Sequence, residues 1–183
     1  SGLDVFLVQD GAIYTYIPAA NPAPSRRDYN PASPPSIVST NMNETRRYRV
    51  YLPRGYDAHP TRRYPVLYMH DGQNVFDPAT SYGGVDWGVD ETMTRLIAQR
   101  AIRPAIVVAV WNSPRRAQEL MAAKAIPAGV DSVNSGLGRR FGGPWLGDQY
   151  LRFLTEELKP YIDRTYRTRR GRADTFIMGS SMG

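Results

Sequence analysis

The five residues Gly179-Ser180-Ser181-Met182-Gly183 constrain this chain more than any other stretch. They follow the apolar run Thr175 to Met178, and a glycine stands two places before and two places after Ser181. A strand that reverses into a helix within so few residues leaves no room for side chains at the flanking positions, so glycine is needed there. The residue at the crest is pushed out of the sheet with its hydroxyl exposed, the geometry of a nucleophile elbow. The frame also chooses between the serines. Only Ser181 has both glycines at the required spacing, which makes it the candidate nucleophile and Ser180 a small spacer. A strand ending in a small-residue loop would carry the same letters, so the motif has to be weighed with what lies upstream.

Upstream, the apolar pattern changes character along the chain. Val5–Val8 and Ala12–Ile17 read as two short strands joined at Asp10-Gly11, a strong hairpin signal. Residues 18 to 35 shift to Pro, Ala, Ser and Asn and read as an extended connector. Ser36–Asn41 and Arg47–Leu52 then flank a turn around Asn43-Glu44. In the second of these, Tyr48, Val50 and Leu52 alternate with Arg47, Arg49 and Tyr51, which predicts an antiparallel edge strand with one wet face. Pro65–Met69, Pro104–Trp111 and Thr175–Met178 are continuous apolar runs, the pattern of parallel strands covered on both faces. Between them, Val89, Met93, Leu96 and Ile97 share one helical face, with Asp90 and Glu91 early in the helix, where its dipole favours anions. Leu146, Tyr150, Leu154, Leu158 and Tyr161 repeat the pattern over a longer helix that Pro160 should kink or end. Strand, helix, strand, helix, strand implies an α/β sheet. Residues 1–35 are expected to form a hairpin and connector, and residues 36–183 the first part of the main domain.

Composition excludes more than it assigns. The net charge of +6 comes almost entirely from arginine, the only lysines being Lys124 and Lys159. The arginines occur as scattered pairs and form no stripe, so nucleic acid is not an expected partner. With no cysteine, disulfide, zinc-finger and thiol chemistry are absent and the compartment stays open, a periplasmic or secreted location being favoured over a cytoplasmic one. No apolar stretch is long enough for a membrane span, so no membrane partner is expected. Asp71, Asp77, Asp86 and Asp90 lack the spacing of a cation loop and read as caps and turn residues, so neither a metal nor a cofactor is expected.

The second informative stretch is Tyr68-Met69-His70-Asp71-Gly72-Gln73-Asn74, at the exit of the first parallel strand. In an α/β-hydrolase the loop at this place gives one backbone N–H to the oxyanion hole, and the residue after the nucleophile gives the other. Met182 and Gln73 are therefore the candidate donors, with Gly72 allowing the backbone to approach a ligand closely. Losing one such donor typically costs about 10²–10³ in rate. Trp111-Asn112-Ser113-Pro114-Arg115-Arg116 leaves the next parallel strand at the same edge, where open α/β sheets bind ligands. His70, Asp71, Trp111, Asn112 and Arg115 are thus candidate substrate contacts, with Arg116 an alternative to Arg115 for an anionic group. His70 is read first as a support of the oxyanion loop, because in this fold the base follows the nucleophile in chain order. His59, beside a proline, reads as surface. Trp145 either lines a pocket or packs.

These stretches, together with Trp87-Gly88-Val89-Asp90-Glu91, Val107 to Asn112 and Glu157 to Asp163, resemble the esterase D / enterochelin-esterase-like α/β-hydrolases over about residues 46 to 183, in order and spacing. The resemblance implies an α/β fold with an α/β-hydrolase-type, mostly parallel sheet and flanking helices. It also implies serine ester hydrolysis through an acyl-enzyme on Ser181. The implied substrates are small-molecule or glycan esters: siderophore esters, thioesters, or feruloyl and acetyl esters. The acid and histidine of the triad are expected beyond residue 183, in a C-terminal segment of the same domain, without which residues 1–183 are not expected to fold alone. The competing reading is an inactive binding module that keeps the fold. Polyanion binding through the arginines is a third, with only net charge behind it.

Overall fold

The computed structural model describes residues 6–9, 12–15, 34–121, 124, 126, 130 and 135–183. Strands β1 (Phe6–Gln9) and β2 (Ala12–Thr15) pair antiparallel with Phe6 opposite Thr15, as the hairpin pattern predicts. Asp10, Gly11 and nearly all of the connector lie outside the described residues. The main sheet has five strands in the order β3 (Ser36–Ser39), β4 (Glu44–Tyr51), β6 (Ile106–Val110), β5 (Val66–Met69), β7 (Thr175–Met178). β4 runs antiparallel to both its neighbours, while β5 is parallel to β6 and to β7. The sheet is thus mixed and mostly parallel. The loops leaving β5, β6 and β7 all emerge at one edge.

Two apolar layers close on this sheet. Helix α1 (Val89–Ala98) presents Val89, Met93 and Leu96 to Tyr51, Met69, Val107 and Ala109 on one face. On the other face Tyr48, Val50, Val66, Tyr68, Ile106, Val108 and Val110 meet Tyr150, Phe153, Leu154, Leu158 and Ile162. Every residue of β6 is buried because its odd and even positions feed different layers. Two short helices, α2 (Arg116–Glu119) and α3 (Gly136–Phe141), precede the long helical stretch. That stretch comprises α4 (Gly147–Arg152), a π turn over Phe153–Leu158, and α5 (Lys159–Thr165).

Three expectations change on this scaffold. β4 is not an edge strand: it lies between β3 and β6, and Arg49 and Tyr51 on its supposedly wet face are 3% and 2% exposed. Alternation of Arg with apolar residues resembles an amphipathic edge, but α1 and the loop after β5 cover that face. Pro160 does not end the long helix, which continues to Thr165. A π turn over Phe153–Leu158, closed by Lys159 N–H donating to Leu154 O, lies just before Pro160. β7, by contrast, is covered less than its apolar run predicts. It is the outer strand, Phe176 and Ile177 are 46% and 58% exposed, and no helix among the described residues packs over them. No helix among the described residues is long and apolar enough to cross a membrane.

A partly exposed carboxylate ties the β3–β4 turn to the long helix. Glu157 accepts hydrogen bonds from Ser39 Oγ at 2.5 Å and from the Thr40 and Asn41 N–H groups at 3.0 Å each. Burial works to raise its pKa, but these bonds outweigh it and hold the carboxyl below its ordinary value. A depressed carboxyl pKa stabilises the fold above the unfolded-state value of about 4.3, and that contribution fades as pH falls through the folded-state value. Glu157→Gln should therefore lower the unfolding free energy by about 1–2 kcal/mol at neutral pH. The deficit should shrink below about pH 4. Denaturant titrations at pH 7 and pH 3.5 check this; a deficit that is the same at both values would assign the loss to packing instead.

Candidate active site

Backbone strain marks the turn after β7. Ser181 has φ of 59°, a left-handed conformation that residues with a Cβ rarely adopt, and its side chain is exposed. Gly179 is sterically required, and Gly183 is closely hemmed in. A Cβ on Gly179 would lie 2.2 Å from the Gly183 carbonyl carbon, so the two glycines pack back to back. A Cβ on Gly183 would crowd the Cβ of His70 at 3.2 Å. Gly183 N–H closes the turn on Ser180 O at 2.9 Å, leaving the Met182 N–H outside that pairing.

The loop after β5 lies beside this turn. Met69 is in register with Met178, and His70 N–H donates to Met178 O at 3.0 Å, so the two segments leave the sheet side by side. Asp71 also has a left-handed backbone, with φ of 55°. It leads into a short 3₁₀ turn, Gly72–Asn74, whose bonds are made by the Asn74 and Val75 N–H groups and not by Gln73. Gly72 is needed for a different approach from the one its sequence suggests. A Cβ there would meet the Ala109 carbonyl carbon at 2.4 Å, so the close contact is with the β6 backbone beneath the loop. The Gln73 side chain points to β6 as well, its Oε1 accepting from Asn112 N–H at 3.4 Å.

Arg116 joins the two segments. Its Nε and Nη2 donate to the two oxygens of Asp71 at 2.5 and 2.6 Å, and Nη2 also reaches Ser180 O at 3.3 Å. Asn112 Nδ2 donates to the same Asp71 carboxylate at 2.7 Å. Asp71 is only 3% exposed, so this bidentate pair is shielded from solvent on the acid's side. The guanidinium is raised above its ordinary pKa mainly by the Asp71 hydrogen bond, against a smaller opposing effect of burial. Arg115, the neighbour favoured by the sequence, turns away to Glu44 at 3.1 Å and Met42 O at 3.4 Å. Trp111 is half-buried, with the guanidinium groups of Arg47 and Arg49 at 5.8 and 5.2 Å from its ring.

A second, deeper pair holds Arg116 in place. Arg46 from β4 donates to Glu119 Oε1 at 2.8 Å and to Trp111 O at 2.9 Å, and the two side chains are 2% and 1% exposed. Ser113 Oγ donates to the same Glu119 oxygen. Glu119 ends α2, the four-residue helix that Arg116 begins, so this bond network fixes the start of the helix relative to the sheet. His70 lies beside Gly183 and is bonded elsewhere than to Ser181. Its Nδ1 shares a 2.8 Å hydrogen bond with the buried Tyr150 hydroxyl, and no hydrogen bond links it to Ser181 among the described residues. Burial, aided by the Arg116 charge and opposed by Asp71, lowers the His70 pKa, so the ring is neutral at neutral pH.

The remaining sequence candidates fall elsewhere. His59 is exposed, and Trp145 is half-buried near the start of α4. Asp77 pairs with Arg49 at 3.5 Å and accepts from Ala79 N–H. Asp86, Asp90 and Glu91 bring one carboxylate oxygen each within 4.8 Å of one another at the start of α1, where the helix dipole favours negative charge. Sequence reasoning missed Arg46, Glu119 and Tyr150. The first two sit in ordinary polar contexts, and Tyr150 was absorbed into the apolar stripe of the long helix although its hydroxyl needs a partner when buried.

Comparison with known proteins agrees with this α/β fold. Ferri-bacillibactin esterase BesA of Bacillus subtilis (strain 168) is 26% identical over 151 residues, a stretch covering 80% of this chain and 48% of the relative. The chain thus spans about half the length of the curated relative it matches. Among solved structures, an IroE-like serine hydrolase from Shewanella oneidensis superposes with a TM-score of 0.57 at 25% identity, covering 81% of this chain and 42% of the other. A ferulic acid esterase superposes with a TM-score of 0.53 at 27% identity, covering 81% and 48% respectively. Residues 39–183 match the family described as Putative esterase, and the chain belongs to that family.

Proposed function

We propose that this chain carries the nucleophile and the oxyanion loop of a serine hydrolase that cleaves carboxylic esters through an acyl-enzyme on Ser181. The observation that carries this reading is the left-handed Ser181 at the crest of a turn whose flanking glycines touch each other. Strain of this kind persists only where the surrounding structure enforces it, and here it falls on an exposed serine. In the proposed reaction Ser181 Oγ attacks the ester carbonyl carbon and gives its proton to a base. The carbonyl oxygen becomes an oxyanion and is received by the N–H groups of Met182 and Gln73. Collapse of the tetrahedral intermediate expels the alcohol, which takes the proton from the base. Water then cleaves the acyl-enzyme by the reverse sequence and releases the acid.

His70 is not the proposed base, since its Nδ1 is engaged by Tyr150. Base and acid are proposed to come from sequence following the elbow, as chain order in this fold requires. The substrate class is proposed to be that of the named relatives, an ester of the siderophore or feruloyl type. A fluorophosphonate reacts with an activated serine, so incubation of the complete protein should add one adduct, and peptide mapping should locate it on Ser181. An adduct on Ser180, or none, would overturn the assignment.

Arg116 is proposed to set the distance between the two N–H donors, because one guanidinium holds both the Asp71 loop and the Ser180 carbonyl. Arg116→Gln should lower kcat by about tenfold to a hundredfold with a smaller change in KM, since a misplaced oxyanion donor is felt in the transition state. In a double-mutant cycle with Asp71→Asn, the two losses should be non-additive by about 1 kcal/mol or more in kcat/KM. Fully additive losses would separate Arg116 from the loop.

A further inference from the structure

The edge of the sheet opposite the elbow carries a groove of about 600 Å³, lined by Arg62, Arg100 and Arg103 together with Ile97, Ile102 and Pro104. Arg62 precedes β5 and the others precede β6, and these strands run parallel toward the elbow edge, so the groove opens at the far end of the fold. Three arginines line it and its lining contains no acid. Among the described residues none of the three forms an ion pair, whereas Arg46, Arg49, Arg115 and Arg116 all do. Arg62 is held by its own contact, with its guanidinium 5.3 Å from the centre of the Tyr64 ring.

The placement of Arg100 is costly. Helix α1 ends in a Schellman motif, with Ala101 N–H donating to Leu96 O and Arg100 N–H to Ile97 O, each at 3.0 Å. Arg100 occupies the left-handed position of that motif, with φ of 59°, where glycine fits without strain. The negative pole of α1 does not require it, because Arg95 already places a cation in the last turn. Three like charges around one groove, one of them on a strained backbone, repel one another unless an anion sits between them.

We propose that this groove binds a multiply charged anion of the phosphate type, at a site separate from the elbow. Guanidinium forks match phosphate oxygens in pairs, and three of them suit a ligand with more than one phosphate group. The apolar floor of Ile97, Ile102 and Pro104 gives room for an organic moiety, and the volume falls in the range of about 300–1,000 Å³ usual for small-molecule sites. The ligand is therefore either inorganic polyphosphate or a phosphorylated organic molecule with the same anionic head.

Calorimetric titration of the complete protein with tripolyphosphate, and separately with ATP, at constant ionic strength tests the site. Saturable binding is expected, and Arg103→Gln should weaken it at least tenfold. Tighter binding of ATP than of tripolyphosphate would assign the apolar floor to an organic moiety, and equal binding would assign the site to the polyphosphate alone. Arg100→Gly removes a charge and relieves the backbone at once, so it should abolish the anion-induced rise in Tm while leaving the Tm without anion unchanged or higher. Ester turnover should be unaffected by either variant. Failure to saturate, binding that survives both substitutions, or a fall in the anion-free Tm of Arg100→Gly would overturn the proposal, the last by showing that the arginine serves the helix end instead.

Discussion

Replacing Ser181 by alanine in the complete protein should reduce ester turnover by roughly 10⁶-fold, the scale seen when the nucleophile of a serine hydrolase is removed. Ser180→Ala should stay within about tenfold, because what Ser180 contributes is its backbone carbonyl, which receives Gly183 N–H and Arg116. The strain at Ser181 supplies a second readout. Ser181→Ala keeps a Cβ and with it the left-handed penalty, whereas Ser181→Gly removes both hydroxyl and penalty. The glycine variant should therefore be as inactive as the alanine variant and more stable by up to about 1 kcal/mol. Turnover and unfolding measured on the same variants separate a functional strain from an incidental one. Loss of stability in Ser181→Gly together with surviving turnover would remove the elbow from the chemistry.

Gly72→Ala should be the most damaging single methyl addition in the loop after β5. The added Cβ would lie 2.4 Å from one backbone atom of Ala109 and 2.5 Å from another, on a strand buried on both faces, so the loop must move because β6 cannot. Displacing the loop shifts the Gln73 N–H from its proposed place, and the expected loss in kcat is about 10²–10³. Gln73→Ala removes a side chain that makes only one long hydrogen bond, at 3.4 Å, and leaves the N–H intact. Its effect should stay within about fivefold. Steady-state kinetics on the two variants decide the point. Equal damage would give the glutamine side chain a chemical role that its geometry does not support.

The legible parts of this protein are those whose information is local. The Thr175–Met178 strand, the helix over Val89 to Ala98 and the glycine-framed Ser181 were all readable, because each depends on residues within one or two turns of itself. The parallel orientation of β5, β6 and β7 also followed from their continuous apolar runs, although the order in which they pair did not. Even the mixed character of the sheet was readable in part, from the alternation over Tyr48 to Leu52.

What tertiary structure alone decided is the fate of the arginines and of the hydroxyl on Tyr150. Arg47 and Arg49 alternate identically in sequence, yet Arg47 is exposed and Arg49 is buried, because the loop carrying Asp77 packs over one and not the other. Arg115 and Arg116 are adjacent, and only the fold of α2 against β4, through Arg46 and Glu119, turns the second toward Asp71 and the elbow. A guanidinium on a flexible stem reaches several ångströms in any direction, so its partner depends on which distant segments arrive beside it. Local pattern therefore determined the elements and the glycine frame around Ser181. The positions of the charges that hold the loop after β5 to the turn around Ser181 were set by contacts between residues far apart in the chain, which no local pattern encodes.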